Sequence, residues 1–267
     1  MFTLRDAIFL IELAFYCPIP PVVIFILLIH GGKKPYTWRP ILIPLFILSG
    51  LRITSASLGL AAINPDKSNL LPTATLLDTI GLAPVLFLLI GILVRANAPL
   101  RKGLSIWIFL PFQLSIIAAT IMTAYGGRGL YTTDQHQTKD LTLMRAGICI
   151  SIAIFAITVL LSVITLFKVQ GGYGNERAAA VCAVLSIPFM SVRLAFSAGS
   201  LFSGDGSVLD PMAEDDTGVW LHLFMVIVME YAVVLSATAV ALGSRRVVLV
   251  EKKDDGLEKE IEVQTWI

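Results

Sequence analysis

Apolar runs of about 20 residues recur along the whole chain, and each is long enough to cross the ~30 Å hydrocarbon core of a bilayer as a helix. Seven can be placed: Ala7–Ile29, Ile41–Ile63, Thr73–Val94, Leu104–Ala124, Thr142–Phe167, Ala178–Phe202 and Gly218–Gly243. Short polar stretches separate them. Hydrophobic residues make up 56% of the sequence, above the ~45–50% usual for a soluble domain. The expected fold is therefore all-α, a polytopic membrane domain of seven transmembrane helices over residues 1–243. A charged tail, residues 244–267, follows it and contains EKKDDGLEKEIE. The tail is read as solvated, as a short helix or disordered chain with no specific role.

Basic residues are sorted by side. Loops on one side, with the tail, hold thirteen, among them Lys33, Lys34, Arg39, Arg95, Arg101, Lys102, Lys168 and Arg177, against five on the other, Arg5, Lys67, Arg128, Lys139 and Arg145. The positive-inside bias predicts a lumenal or extracellular N-terminus and a cytosolic C-terminus. The sixth loop carries Asp205, Asp210, Glu214, Asp215 and Asp216 and no basic residue. Such a loop is what the orientation rule leaves on the outer side. The overall net charge of +1 carries no information about partners, and no basic patch with interleaved aromatics points to nucleic acid.

The first run continues through Pro18, Pro20 and Pro21 without a small-residue cleavage site, so it reads as a retained helix. Those prolines are expected to break it near its middle, and Pro44, Pro84, Pro111 and Pro188 to kink other helices. Cys17, Cys149 and Cys182 all lie inside apolar runs, which implies no disulfide framework, and no Cys/His spacing suits a metal. Gly-rich phosphate loops and nucleophile elbows are also missing. Neither a metal nor a cofactor is expected. Tyr36, Trp38, Trp107, Tyr125, Tyr131, Tyr173 and Trp220 lie near run ends and read as interface anchors. His30 and His136 lie in loops without evident partners.

Against this background five charges stand inside the runs: Glu12, Arg52, Asp78, Arg193 and Glu230. A charge at bilayer depth costs at least ~2.5–3.5 kcal/mol on insertion scales, so it normally faces a partner or a cavity. At 1.5 Å per residue from the outer ends, Glu12 and Asp78 lie roughly 7–8 Å deep, Arg193 about 14 Å, and Arg52 and Glu230 about 16–18 Å. The depths converge on the outer half and the midplane, as one polar cavity opening outward would require. Each of the two arginines can pair with one carboxylate, which leaves a third acid whose proton is retained in an apolar setting. Glu230, the deepest, is the candidate for it. Glu230, Asp78 and Glu12 are the candidate catalytic acids, and Arg52 and Arg193 their counter-charges. Gln113 and Tyr231 are expected to line the cavity, with Thr54, Ser55 and Ser57 as further polar wall. His222, about one and a half turns into the seventh run, reads as an interfacial histidine, with cavity lining and proton shuttling as its other roles. A structural reading stands beside the functional one, in which Arg52–Asp78 and Arg193–Glu230 are interhelical staples that fix packing.

An internal repeat is also legible. Helices 1–2 read LLIHGGKK then IPLFILSGLRITSASLGL, and helices 5–6 read FKVQGGYG then IPFMSVRLAFSAGSLF. Gly31-Gly32 and Gly171-Gly172, Pro44 and Pro188, and Arg52 and Arg193 correspond. With helix 4 as linker, this gives a parallel 3+1+3 arrangement of the kind some transporters use.

Through FYCPIPP (Phe15–Pro21), LLDTIGLAPVLFLLIGILVR (Leu76–Arg95), PFMSVRLAFSAGSLF (Pro188–Phe202) and VIVMEYAVV (Val226–Val234), the chain resembles a large set of fungal seven-helix membrane proteins of uncharacterised function. The resemblance covers nearly the whole chain and implies a fungal origin and seven spans. In size, helix count and buried acids it is also similar to the membrane-bound terpene cyclases of fungal meroterpenoid pathways, including the type that closes the ether ring of ascofuranone-like compounds. That similarity is one of architecture.

Three functions follow as expectations. The first is a cofactor-free isoprenoid or meroterpenoid cyclase of the endoplasmic reticulum, an isomerase or lyase of secondary metabolism. An apolar prenylated substrate would enter from the bilayer, Glu230 or Asp78 would open an epoxide or protonate an olefin, and Phe15, Phe189 and Phe196 would shield cations. The second is a small-solute transporter built on the repeat. The third is a seven-helix receptor.

Overall fold

A computed structural model of the chain describes residues 4–30, 38–97, 106–132, 137–169, 174–203, 216–243, 247–251 and 261–265. Seven helical spans are long and apolar enough to cross a membrane: Leu4–Leu28, Arg39–Ala61, Leu71–Asn97, Ile108–Gly129, Lys139–Val169, Arg177–Phe202 and Asp216–Leu242. All seven expected runs are recovered. The Gly-Gly turns, the basic residues Lys33, Lys34, Arg101 and Lys102, the acids at 205, 210, 214 and 215, His136, Tyr36 and Tyr173 lie outside the described residues.

Three of the spans are not single α-helices. The first divides into α1 (Leu4–Tyr16) and α2 (Ile19–His30). Pro18, Pro20 and Pro21 lack the N–H groups that would continue the ladder across this point. The second is α3 (Arg39–Ala61), which runs on through Pro44. A 3-10 turn, Pro65–Leu70, leads into the third span, α4 (Leu71–Ile80) and α5 (Leu82–Asn97). These two meet at Gly81, whose N–H turns back to the carbonyls of Leu77 and Asp78. Pro84, in the first turn of α5, has no N–H to offer the carbonyl of Ile80. The fourth to sixth spans are α6 (Ile106–Thr132), α7 (Gln137–Val169) and α8 (Gly174–Phe202), the first and last continuous through Pro111 and Pro188. The seventh comprises α9 (Asp216–His222), a π-helical segment Leu223–Val228, and α10 (Met229–Gly243).

The third span is the hub. Its apolar window is 72% buried, against 22–50% for the others, and α5 packs on α3, α6, α7, α8 and α10. Small residues allow the closest crossings. A side chain on Gly91 would run into the Pro40 carbonyl, which is how α5 reaches the start of α3. Gly126 and Gly147 do the same for α6 and α7, letting helix backbones approach without lost van der Waals contact. Below the broken points the interior is mostly apolar, with Ile19, Val23, Ile26, Leu42, Leu45, Leu86, Leu89, Leu93, Met190 and Val234 all buried, and with Asn97 donating to Thr165 Oγ1 at 2.9 Å among its buried polar groups.

Two expectations change here. Trp38 is buried and lies under Arg95, whose guanidinium carbon is 5.1 Å from the ring centroid. The cation–π contact draws the ring into the protein, whereas Tyr125 and Trp220 remain exposed as anchors. In the tail, Val247–Glu251 pairs antiparallel with Ile261–Thr265 as β1 and β2, Val247 opposite Thr265. Both segments are rich in β-branched residues, which favour a strand over the expected helix or coil.

Candidate functional site

The breaks in the first, third and seventh spans each flank an acid. Glu12 lies one turn above the end of α1, Asp78 is in the last turn of α4, and Glu230 is the second residue after the π-helical segment. The two arginines come from α3 and α8, one third of the way in from the same side of the bundle. All five meet in the interior. Arg52 and Glu230 are 0% exposed, Arg193 and Glu12 2%, and Asp78 9%.

Glu230 is the centre of the set. Its Oε2 accepts from Arg52 Nε at 2.8 Å and also from Arg52 Nη2, and its Oε1 accepts from Arg193 Nε at 2.7 Å. Arg52 extends its remaining nitrogen to the other two acids, donating from Nη1 to Glu12 Oε1 at 3.0 Å and standing against Asp78 Oδ1. Arg193 donates from Nη1 to Ser197 Oγ at 2.5 Å, one turn along α8, and from Nη2 to the Asp78 backbone carbonyl at 3.3 Å. That carbonyl lies at the C-terminal, negative end of α4, where a cation is favoured. Gly81 completes the arrangement: a Cβ there would stand 3.3 Å from Arg52 Nη2, so a side chain would crowd the guanidinium.

The expectation that Glu230 is the carboxylate without a partner is corrected. Both its oxygens are held by guanidinium donors, and the two expected pairs, Arg52–Asp78 and Arg193–Glu230, are present within a larger chain in which Arg52 touches all three acids. The acids with a less complete set of partners are Glu12 and Asp78.

His222 is also drawn in. Its Nε2 lies 2.9 Å from Asp78 Oδ2, and its ring meets Phe196 edge-on at 5.9 Å. Its side chain is only 20% exposed, so it belongs to the site and not to the interface. The π-helical segment accounts for its position. Eight residues at ~100° each would leave His222 and Glu230 roughly 80° apart, and the wider turn absorbs about one residue of rotation, which brings both to one face.

A chamber of about 30 Å³ lies against the set, lined by Arg5, Ile8, Phe9, Glu12, Ser55, Ala74, Thr75, Asp78, Gly218, Val219 and His222. It leads towards a vestibule of about 550 Å³ at the helix ends, to which Arg5, Asp6, Phe9, Ile63, Leu71 and Asp216 contribute. Arg5, Phe9 and Val219 belong to both walls. The chamber residues come from α1, α3, α4 and α9, and every residue of the vestibule comes from the start of α1, α4 or α9 or from the end of α3 and the loop beyond it, so access is from the side of the N-terminus.

Of the other expected lining residues, Ser55 is buried beside the chamber and donates to the Ala74 carbonyl at 2.8 Å. Tyr231 stacks on Phe15 at 4.6 Å and meets Tyr16 edge-on at 5.8 Å. Thr54 and Ser57 are exposed and return their hydroxyls to their own helix. Gln113 is half-buried on α6 and touches neither the charged set nor the chamber among the described residues. Phe15, Phe189 and Phe196 pack into the apolar clusters. Tyr16 and Ser197 were not anticipated. Tyr16 is fully buried one turn below Glu12, with its hydroxyl unpaired and within electrostatic reach of Glu230, Arg52 and Glu12. Both stand four residues beyond a charge of the set, the spacing that places two residues on one helix face.

What these features define is a seven-helix integral membrane protein with a buried, interhelical charge network reached from one side. Residues 2–247 match the model of a family described as a domain of unknown function, DUF7702, and the chain belongs to that family. No curated protein and no solved structure matches it.

Proposed function

We propose that the chain is a small-solute permease. Its solute docks in the vestibule, above a charged set that links the moving helices. The observation that carries this reading is the coincidence of breaks and charges: each of the three acids sits beside an interruption in its own span. Interrupted helices around a site near the midplane are how secondary transporters combine solute contact with movement. The vestibule lies in the range of ~300–1,000 Å³ typical of small-molecule sites, and the other half of the bundle is filled by packed apolar side chains. A protein accessible from one side and closed on the other is in one of the two states alternating access requires. The 3+1+3 repeat fits as well, since Arg52 and Arg193, its corresponding residues, grip opposite oxygens of Glu230. With the basic bias of the loops, the open side is lumenal or extracellular.

The test is uptake into proteoliposomes, with amines, amino acids, sugars and carboxylates each supplied as radiolabelled solute. Protein-dependent uptake of one class, lost in Arg193→Ala, is the expected result. Equal uptake with and without protein for every class contradicts it.

A second reading keeps the same acids for chemistry. The vestibule is large enough for a small prenylated molecule, and Glu12 and Asp78 line the chamber beneath it. A cofactor-free cyclase of fungal meroterpenoid metabolism in the endoplasmic reticulum would use Asp78 or Glu12 as its acid, with Glu230 fixed as counter-charge to the arginines. Microsomes supplied with an epoxy-prenyl substrate decide it: cyclised product that disappears in Asp78→Asn supports the enzyme, and no product above control membranes rejects it.

A further inference from the structure

The charges of the buried set do not balance. Arg52 and Arg193 supply two positive charges, and Glu12, Asp78 and Glu230 supply three negative ones. With the His222 imidazole neutral, one negative charge remains uncompensated in a region closed to water on its inner side. A buried charge left in that state is strongly disfavoured, and the usual outcome is that a proton or cation joins it.

We propose that the chamber takes up one exchangeable proton from the vestibule, held among Glu12, Asp78 and His222. The inference rests on the permease reading and adds to it the identity of the coupling ion.

Geometry selects the three groups. Glu230 has both oxygens occupied by guanidinium nitrogens and does not line the chamber. Glu12, Asp78 and His222 do line it. The charged and titratable groups facing them are Glu12, Arg5 and the neutral Tyr16 hydroxyl from α1, Arg52 from α3, Asp78 from α4, Arg193 from α8, His222 from α9 and Glu230 from α10. Arg5 stands where the chamber meets the vestibule, on a wall that also carries Asp6 and Asp216, so it belongs to the charges of the mouth and leaves the inner count unchanged.

Size and ligand geometry select the proton. A chamber of about 30 Å³ has room for about two waters, enough to deliver a proton and too little for an organic cation. Among the described residues, no group of three His, Cys, Asp or Glu side chains is arranged to hold a metal ion. The step itself is a transfer from a hydronium ion in the vestibule to a carboxylate oxygen or to the imidazole, with water left behind.

The proton also has a mechanical consequence. Asp78 joins α4 to α3 through Arg52 and to α9 through His222, directly above the Gly81 break. Protonation of this group replaces an ion pair by a neutral contact and leaves Arg52 to Glu12 and Glu230. The third span then loses its ion pair at this joint and is held there by the bonds from Ser55 and Arg193 to the Ala74 and Asp78 carbonyls.

The experiment is infrared difference spectroscopy of the purified full chain in lipid nanodiscs, titrated in H₂O and D₂O. The wild type is expected to show one protonated group, as a carboxylic-acid carbonyl band or an imidazolium band, which shifts in D₂O and disappears as the pH is raised. Glu12→Gln and Asp78→Asn each remove the excess negative charge, and each is expected to lose the uptake. His222→Gln is expected to retain it as a carboxylic-acid band. Absence of any such band in the wild type overturns the proposal without reference to a variant. So does a band that neither exchanges nor titrates, or uptake that persists in both acid variants. Uptake with no solute flux in proteoliposomes would remove the permease reading and leave the proton site standing. Flux with no titrating band would do the reverse.

Discussion

At the scale of single residues, Arg52 holds the charged set together. It touches Glu12, Asp78 and Glu230 together, across the spread of a planar guanidinium with five N–H donors, which a compact ammonium with three donors does not match. Arg52→Met would leave a single arginine among three buried carboxylates. Removing one member of a buried ion network costs about 3–5 kcal/mol. The expected outcome is a lowered thermal unfolding midpoint in detergent, with Arg52→Lys restoring only part of it. A midpoint unchanged in both variants would mean that the set is hydrated and loosely held. The five charges were legible in the sequence because each interrupts an apolar run, and no other explanation of a charge at that depth is common. Their pairing was legible in part: Arg52–Asp78 and Arg193–Glu230 are present as expected, while the contacts of Arg52 with Glu12 and Glu230 were not anticipated. Which carboxylate sits between the arginines depends on how three interrupted helices are rotated, and depth alone ranked Glu230 as the spare acid when it is the most fully bonded one. His222 and Tyr16 entered the set for the same reason, through helix rotation that spacing along the chain does not give.

At the scale of elements, the interruptions position the chemistry. The π-helical segment Leu223–Val228 carries no proline or glycine, so nothing in its sequence announces it. The breaks at Pro18 and near Pro84 could be anticipated, since proline withdraws a donor from the ladder. Inserting one further residue within Leu223–Val228 turns Glu230 by roughly 100° relative to His222. That insertion is expected to be as damaging as loss of Arg52, and the thermal midpoint in detergent reads the comparison. An insertion that leaves the midpoint near wild type would show that the rotation of this span does not set the site. Gly91→Ala tests the frame in another way. The new methyl group meets the Pro40 carbonyl, and backbone cannot yield as a side-chain tip does. Overpacking of this kind costs about 1–3 kcal/mol, seen as a lower midpoint, whereas Gly50→Ala, with nothing within 4 Å of the new carbon, should have little effect.

At the scale of the molecule, the seven spans followed from run length, and all seven are present. The one-sidedness of the site was half legible: depths counted from helix ends placed the charges towards one face. The chamber was not, because it depends on side chains such as Phe9, Thr75 and Val219 that sequence alone does not single out. The packed apolar half beneath the charges is equally part of the account, since a site open to both sides would leak ions. The central claim is that the charged set is reached by water from the N-terminal side alone. It is tested most directly by replacing Cys17, Cys149 and Cys182, introducing Phe9→Cys where the chamber meets the vestibule, and applying a membrane-impermeant thiol reagent to each face of sealed vesicles in turn. The account predicts labelling from the face that bears residues 62–70 and none from the other. Labelling from the opposite face, or none from either, would contradict it.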